Sequence, residues 1–435
     1  MQRMIKFLLA LTALMLTACS ANYTSVIPQR CQLLATADPL QLLGTDSWAT
    51  QLAAFVGAGG MDCRGIDPTE KLYLFETADG LFGLVAGVSS RSDAEEWLKS
   101  TGRPQKSRRG FLFTDLGNGF LAAVADHALL VMGPSTDNSL SALQQRMVRC
   151  LESKGDNDIT TTELYSVLER TAAGSPVALV AKAGALPSQI APLLTLDSLR
   201  GDEPIYVTAT LQRHDSLITV NSDVYAPDSE LAALLRKRHE RFRPLEGRYG
   251  ALMTDSTALS LFVNTDGETL LQLLRSSQAL KLLLAGSNRA IDTDNIIRSI
   301  DGETAIALHS LDFSHPSFRL NATIAHARFL DDVGYWQRSC PAGCSISSEG
   351  SDAYVCRWPG AEMFFGTDAA RREFYAYTPG ITATVTPVAT AMEGHRLCIA
   401  SSREALLRQD GVGQTVLSPL KLLLGDAKAL VWWVK

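Results

Sequence analysis

A short pattern occurs twice in the chain. D-A-E-E-W-L-K-S at 93–100 is followed far downstream by D-V-G-Y-W-Q-R-S at 332–339, with Asp, Trp, a basic residue and Ser at one spacing. The run before each copy, at 82–88 and 321–327, is made of small and β-branched residues and is typical of a strand. Both segments therefore predict the same strand and helix, and they suggest that one unit of the chain was copied.

Four further pairs of segments match in the same order along the chain. The distance between matched segments varies, as loop insertions would make it. The pairs are 33–39 with 261–267, 65–75 with 299–309, 126–133 with 394–401, and 174–181 with 425–432. This collinear series predicts an internal duplication, and it places the largest insertion of the second copy at 360–393.

The repeated Trp has a structural explanation. Ser92 and Glu95 fit a capping box that starts the first helix. An apolar stripe follows in each copy, as expected for a helix that packs on a sheet. The stripes are Ala94, Trp97 and Leu98 in the first copy and Phe329, Val333 and Trp336 in the second. Trp97 and Trp336 are therefore predicted to anchor a helix to a sheet, with ligand stacking as the alternative.

The order of predicted elements indicates an α+β fold. Strands follow one another without long helices between them, which favours two related modules of mostly antiparallel sheet with helices packed on one face. We expect a first module at 31–248 and a second at 249–435. The runs at 205–212 and 217–225 are predicted to form a hairpin that extends the first sheet.

The N-terminus predicts export. Arg3 and Lys6 precede an uncharged apolar run at 7–16, which is too short to span a bilayer and is typical of a signal peptide. L-T-A-C at 16–19 resembles the bacterial lipobox, and this resemblance implies a signal peptide at 1–18 and diacylation of Cys19. Several acyl chains suffice for stable membrane anchoring. Residues 19–30 are then a lipidated tether.

Partners and location follow from this anchor. The expected place is the bacterial cell envelope, in the outer membrane and facing the periplasm, because no acidic cluster follows Cys19; surface exposure is the alternative. The membrane is the first partner, and other envelope proteins or glycans are further candidates. A formal net charge of −6 is poorly suited to nonspecific binding of nucleic acid.

Three cysteines lie close together in the sequence, at Cys340, Cys344 and Cys356. Once Cys19 is lipidated, an odd number of cysteines remains, so at least one thiol is unpaired or pairs between chains. A disulfide within the cluster and its absence are equally compatible with the sequence. Zinc binding is disfavoured, because no His lies near the three in sequence.

No catalytic motif is complete in the sequence. The glycines at 57–60 lack the Gly-Lys-Ser/Thr of a phosphate loop. Ser418 and Lys421 fit Ser-x-x-Lys, but Lys-Thr-Gly is absent from the chain, and Ser418 also fits a helix N-cap. Asp292 to Asn295 fits a helix cap better than a calcium loop. We therefore predict no catalytic residue, no metal site and no cofactor.

One basic run stands out in this acidic chain. It contains Arg236, Lys237, Arg238, Arg241 and Arg243. Positive charge at a helix C-terminus interacts favourably with the helix dipole, so a solvated helix end is one interpretation. Contact with an anionic surface, such as lipid head groups or glycans, is the other.

Other residues resemble a known group of proteins. Tyr23, Ile27 and Pro28 near the mature N-terminus, the first strand that ends at Asp, and the segment 296–303, which ends in I-D-G-E, are similar to Bacteroides-type lipoproteins of unknown function. The resemblance implies no catalytic residue. The sequence thus favours a noncatalytic binding or scaffolding lipoprotein. An enzyme site assembled from distant residues and a glycan-binding or adhesin-like surface near Trp358 are the alternatives.

Overall fold

The computed structural model describes residues 23–38, 40–41, 49, 52–53, 63–135, 139–153, 158–186, 191–195, 204–214, 216–276, 281, 290–310, 317–381, 394–407 and 427–434. These residues form a mixed architecture of helices and β-sheet. The chain divides into two units, Met1–Val180 and Ala181–Lys435.

The first unit contains a mostly antiparallel sheet. Its strands are β1 (Cys31–Ala37), β2 (Leu72–Thr77), β3 (Phe82–Gly87), β4 (Gln105–Arg108), β5 (Phe111–Gly117), β6 (Phe120–Val124), β7 (Ala128–Gly133) and β8 (Val177–Lys182). They pair in the order β4-β5-β6-β7-β3-β2-β1-β8. This order places the first and last strands of the unit side by side, because β1 pairs with both β2 and β8.

Among the described residues of this unit, the longer helices are α1 (Arg91–Ser100), α2 (Leu140–Leu151) and α3 (Glu163–Ala172). The predicted capping box at Ser92 does not form. Helix α1 starts earlier, with Ser90 as N-cap, and the Ser90 hydroxyl accepts from the Asp93 amide at 3.4 Å. Trp97 is 3% exposed in a core with residues of β3, β6 and β7. Leu130 and Met132, which alternate with the β7 residues of that core, are also buried, so both faces of the sheet are covered.

The second unit contains a larger sheet. Its strands are β9 (Tyr206–His214), β10 (Leu217–Tyr225), β11 (Leu259–Asp266), β12 (Ile300–Leu308), β13 (Phe318–Ile324), β14 (Ser345–Ser348), β15 (Ala353–Trp358), β16 (Ala361–Asp368), β17 (Glu373–Tyr377), β18 (Leu397–Ser402) and β19 (Ala429–Val434). They pair in the order β14-β15-β16-β17-β13-β12-β11-β18-β19-β10-β9. All of these pairs are antiparallel except β10 with β19.

The helices of the second unit are α4 (Ala191–Thr195), α5 (Ser229–His239), α6 (Gly267–Ser276), α7 (Thr293–Arg298), α8 (Val333–Ser339) and α9 (Arg403–Leu407). Carboxylate N-caps form here, including the one predicted at Asp292. The Asp266 carboxylate accepts from the Thr269 amide at 2.9 Å, and Asp292 accepts from the Asn295 amide at 3.0 Å. Trp336 on α8 is 3% exposed and lies 6.5 Å from the ring of Phe365. It anchors its helix in the core, as the sequence predicted.

The hairpin β9–β10 belongs to the second unit. The sequence predicted that it would extend the first sheet, but β10 pairs in parallel with β19 over the whole of that strand. The Ser222 hydroxyl donates to the Trp433 carbonyl at 3.1 Å, and the Trp432 indole donates to Ser222 at 2.7 Å. Period-2 alternation identifies strands but does not choose their partners, which explains the difference.

The first described residues pack against the first unit. A short 3-10 helix spans Tyr23–Val26, and Val26 and Ile27 are buried. The Tyr23 hydroxyl donates to the Lys71 carbonyl at 2.8 Å. Across the described ranges, we find no helix with both the length and the apolar character that crossing a membrane requires.

Candidate functional site

Three aromatic side chains form a ladder on one face of the second sheet. Phe364 on β16 pairs with Tyr377 on β17, and their rings stack at 5.3 Å with an angle of 12° between planes. Tyr375 stacks on Tyr377 at 6.3 Å and 29°. Tyr377 is 39% exposed. We call Phe364, Tyr375 and Tyr377 the aromatic face.

The chain forms this ladder because side chains alternate along a strand. Tyr375 and Tyr377 are two residues apart, so both project from the side of β17 opposite Phe374 and Ala376, which are buried in the core. Phe364 and Phe365 divide in the same way on β16, with Phe365 in the core. Strands β16 and β17 thus direct Phe365 and Phe374 into the core and leave Phe364, Tyr375 and Tyr377 on the opposite face.

A groove lies beside the hairpin that joins β15 and β16. Its volume is about 480 Å³. The lining residues are Ser317, Arg357, Trp358, Gly360, Ala361, Glu362, Thr378 and Pro379. Trp358, the aromatic residue that the sequence predicted for a binding surface, is therefore at the groove. The groove adjoins the aromatic face in the fold, since Thr378 follows Tyr377 directly and Glu362 shares its side of β16 with Phe364.

Polar groups at the rim of the aromatic face are held in place. Arg357 and Glu362 are cross-strand neighbours and form an ion pair of 3.3 Å. Arg357 also donates to the Ser347 hydroxyl at 3.0 Å. Arg319, across from Tyr377, donates to the Ile381 carbonyl at 3.1 Å. The rim therefore offers both donors and acceptors at fixed positions, with charges of both signs.

The chemistry that this arrangement supports is noncovalent. A flat, half-exposed aromatic surface attracts C–H groups and the edges of other rings, because the π-system carries negative charge on its face. The ionisable groups that line the groove are Arg357 and Glu362, and they bind each other. The aromatic face thus lies beside a groove with a few fixed polar groups, and small-ligand sites commonly combine these two features.

One Ser–His contact bears on the enzyme alternative. The Ser256 hydroxyl lies 3.0 Å from Nδ1 of His309. Burial, and after it the charge of Arg319, lowers the pKa of His309. Its Nε2 is buried and has no hydrogen-bond partner among the described residues. A catalytic triad needs a carboxylate to orient the imidazole from the side opposite the Ser, and this pair lacks one within the same residues.

The basic run lies at the end of α5. Arg236, Lys237 and Arg241 are exposed, and Arg238 is half-buried. Arg243 forms an ion pair with Asp301 at 2.8 Å. The α5 C-terminus itself is held by Arg396, which is far away in sequence and donates to the carbonyls of His239 at 2.9 Å and Phe242 at 2.5 Å. The run is thus divided, with part of it exposed and Arg243 engaged with the sheet.

Three of the four cysteines of the second unit, Cys340, Cys344 and Cys356, converge. Cys344 Sγ lies 3.5 Å from Cys340 Sγ and 3.7 Å from Cys356 Sγ. All three are present as thiols. Among the residues that the structure describes, no group of three or more His, Cys, Asp or Glu is arranged to hold a metal ion.

Several predicted residues lie outside the described ranges. These are Cys19, the glycines at 57–60, and Ser418 with Lys421. The aromatic face was not predicted as a site. The alternation in E-F-Y-A-Y at 373–377 could have revealed it, because it places Tyr375 and Tyr377 on one side of a strand.

Comparison with known proteins identifies a family. The sequence profile described as Domain of unknown function (DUF4836) matches residues 60–377, which is most of the chain. The chain belongs to this family. The match spans most of both units and includes the aromatic face. The family description assigns no activity or ligand, so the site has to be interpreted from its own chemistry.

Solved structures give only distant similarity. Crystal form I of TP0453 aligns at a TM-score of 0.31 with 13% identity, covering 52% of this chain and 88% of that chain. Crystal form IV of TP0453 aligns at a TM-score of 0.29 with 15% identity, covering 45% and 77%. At these scores neither alignment bears on the fold or function of this chain. No curated protein sequence matches the chain.

Proposed function

We propose that the protein is a noncatalytic binding protein, held at a membrane of the bacterial envelope by lipid on Cys19, and that the aromatic face binds neutral glycans. The observation that carries this proposal is the stacking of Phe364, Tyr377 and Tyr375 into one half-exposed surface beside a groove of about 480 Å³. Tyr375 fills the space at Gly366, but packing within the sheet does not require the exposed ring of Tyr377. A ligand that stacks on this ring gives it a role.

The ligand class follows from the shape and the charge of the site. The C–H groups of one sugar face pack on an aromatic ring, while sugar hydroxyls need donors and acceptors at the edge. Arg357 and Glu362 supply both at the rim. Because their charges compensate each other, the rim does not favour a polyanion or a polycation. A stable protein–protein interface buries roughly 1,200–2,000 Å² in total, which is far more than three rings can provide.

Membrane attachment is supported by the N-terminal sequence. Arg3 and Lys6, the apolar run at 7–16 and the L-T-A-C pattern at 16–19 fit a lipoprotein signal that ends before Cys19. Tyr23 packs on the first unit through its hydrogen bond to Lys71. Each residue spans at most ~3.6 Å, so Cys19 can be no more than about 14 Å from Tyr23. A lipid on Cys19 would hold the first unit close to the membrane surface.

The order of strand pairing supports an internal duplication. The first sheet runs β4-β5-β6-β7-β3-β2-β1-β8, and β14-β15-β16-β17-β13-β12-β11-β18 repeats this order. Trp97 lies on the helix between β3 and β4 along the chain, and Trp336 lies on the helix between their counterparts β13 and β14. The correspondence makes β7 the counterpart of β17, whereas the sequence matched β7 with β18. On this view each unit is one copy, and the hairpin β9–β10 was added to the second.

The glycan proposal is tested with the detergent-solubilised lipoprotein and an array of neutral oligosaccharides. For a glycan that binds, we expect Tyr377→Ala to raise the dissociation constant at least tenfold, which corresponds to about 1.4 kcal/mol. Tyr377→Phe keeps the ring and should change the constant less than threefold. Leu234→Ala, at an exposed apolar residue of α5, is the matched control. Absence of glycan binding, or equal affinities for wild type and Tyr377→Ala, contradicts the proposal.

Attachment is tested separately by replacing Cys19 with Ser. The wild-type chain should carry a mass increase from acyl chains at its N-terminus and should sediment with membranes. Cys19→Ser should lose both properties and keep the glycan affinity. If this variant still sediments with membranes in high salt and detergent-free buffer, lipid on Cys19 is not the anchor.

A further inference from the structure

The three clustered thiols lie on three different parts of the second unit. Cys340 caps the C-terminus of α8, Cys344 immediately precedes β14, and Cys356 lies within β15. Cys356 pairs across the strands with Ile346, two residues after Cys344. A helix end, a turn and a strand are therefore brought together at a single cluster of sulfur atoms.

Cys344 is the shared member of this cluster. Its Sγ lies within 3.7 Å of both other sulfur atoms, at 3.5 Å from Cys340 and 3.7 Å from Cys356. The turn before it is tight. The Cys344 amide donates to the Pro341 carbonyl at 2.9 Å, and Gly343 adopts a φ of +83°, which favours glycine. The backbone thus fixes Cys344 between its two neighbours.

Accessibility differs among the three thiols. Cys356 is 2% exposed, while Cys340 and Cys344 are half-buried. Burial and the neighbouring Cys344 raise the pKa of Cys340 to about 11 and that of Cys356 to about 12. The thiolate is the reactive form, so reaction of the cluster should accelerate as the pH rises.

From this geometry we propose that Cys344 forms a disulfide with either Cys340 or Cys356, one at a time, and that the cluster is a thiol–disulfide exchange site. In the first step, the Cys344 thiolate attacks a low-molecular-weight disulfide and releases one small thiol. In the second, the Cys340 or Cys356 thiolate attacks Cys344 Sγ and releases the other small thiol. Two electrons and two protons pass from the protein to the external disulfide, which is reduced to two thiols.

The two bridges can then interconvert without a further oxidant. The thiolate of the cysteine left out attacks Cys344 Sγ, forms a bond to it and expels the sulfur of the former partner, which takes up a proton. One bridge closes the short turn at the end of α8. The other ties that turn to β15, and its longer loop favours it in the chain-entropy account of disulfide stability.

The experiment uses the full detergent-solubilised lipoprotein and oxidised glutathione at pH 8.5. The reaction is stopped with acid, free thiols are labelled with N-ethylmaleimide, and tryptic peptides are sequenced by tandem mass spectrometry. All three cysteines fall in the tryptic peptide 339–357. We expect this peptide to carry one label, on Cys340 or Cys356. Apart from the mass of that label, it should be two mass units lighter than the peptide with three free thiols. Three labels, or a label on Cys344, overturn the proposal.

Matched variants separate the two bridges. Cys340→Ser should retain the bridge between Cys344 and Cys356, and Cys356→Ser should retain the bridge between Cys340 and Cys344. Cys344→Ser should form no bridge within this peptide. A bridge in Cys344→Ser that joins Cys340 to Cys356 at the wild-type rate contradicts the assignment of Cys344 as the shared thiol. The wild-type label position tests the proposal even if a variant fails to fold.

Discussion

Tyr375 lies directly over Gly366, its cross-strand neighbour. A Cβ atom added to Gly366 would come within 2.6 Å of the Tyr375 hydroxyl oxygen and 2.9 Å of its Cζ. The missing side chain therefore leaves the space that the tyrosine ring fills. Covering of a strand glycine by an aromatic residue is a known device for stabilising a sheet. Here it also fixes the ring on which Tyr377 stacks.

Replacing Gly366 with Ala should destabilise the second unit. The new methyl group would meet the Asp352 carbonyl oxygen at 2.5 Å as well as the tyrosine, so backbone and ring have to move. Overpacking of this kind costs about 1–3 kcal/mol, measured as the free energy of unfolding in urea. Gly350→Ala is the control, because its Cβ would only touch Ala353 at 3.8 Å. Equal stabilities of the two variants would show that Tyr375 does not need the space at Gly366.

Arg396 should contribute more to stability than the basic run that it adjoins. It donates to the carbonyls of His239, the last residue of α5, and of Phe242, three residues beyond it. Hydrogen bonds from a charged donor are worth about 1.5–3 kcal/mol. Arg396→Ala should lower the free energy of unfolding by this amount, whereas Arg236→Ala, at an exposed position, should stay within about 0.5 kcal/mol of wild type. A larger effect at Arg236 would reverse this assignment.

His309 should make stability depend on pH. Burial first, and then Arg319, lowers its pKa in the folded state below the ordinary value of 6.5. The unfolded chain binds the proton more readily, so this contribution to stability is fully present above pH ~6.5 and is lost as the pH falls below it. Thermal melts of wild type and His309→Gln should therefore converge between pH 7.5 and 5. A difference that stays constant over this range would contradict the shift.

Trp97 and Trp336 should behave as equivalent anchors. Both are 3% exposed, so replacing either with Ala should cost about 3–5 kcal/mol in the free energy of unfolding. Trp97→Phe should cost much less, because the indole N–H of Trp97 is buried without a partner among the described residues and its removal loses no hydrogen bond. Alanine at Trp358, which is partly exposed, serves as the comparison. A small effect at one of the two buried tryptophans would show that they are not equivalent.

Local features of the fold could be predicted from the sequence. The caps at Asp266 and Asp292 form because a carboxylate needs only the amide groups of the next turn. The apolar stripe of Phe329, Val333 and Trp336 is buried because its spacing fits a helical face. The start of α1 was placed two residues too late, since Ser90 and Ser92 both satisfy the preference for an N-cap.

Pairing between distant strands could not be predicted in the same way. The alternation in β10 identifies a strand, but its partner β19 lies some two hundred residues further along the chain. The matches at 126–133 and 394–401 share an apolar pattern, yet β7 pairs with β3 and β6, while β18 pairs with β11 and β19. Apolar runs of similar length look alike in sequence, and only the sheet order distinguishes them.

The aromatic face was missed for a related reason. Phe364 and Tyr377 are neighbours only because β16 and β17 pair with this register. The sequence indicates an insertion in this part of the chain and identifies Trp358 only as a single aromatic residue near it. The platform depends on three rings from two strands, so it becomes visible when the register is known.

Saturation-transfer difference NMR tests the central claim most directly. The aromatic protons of the detergent-solubilised protein are irradiated in the presence of a neutral oligosaccharide that the array identifies. We predict strong saturation on the C–H protons of one face of a single sugar ring, and its loss in Tyr377→Ala but not in Leu234→Ala. Uniform saturation over the glycan, or the same pattern in Tyr377→Ala, would contradict the claim that the aromatic face binds glycans.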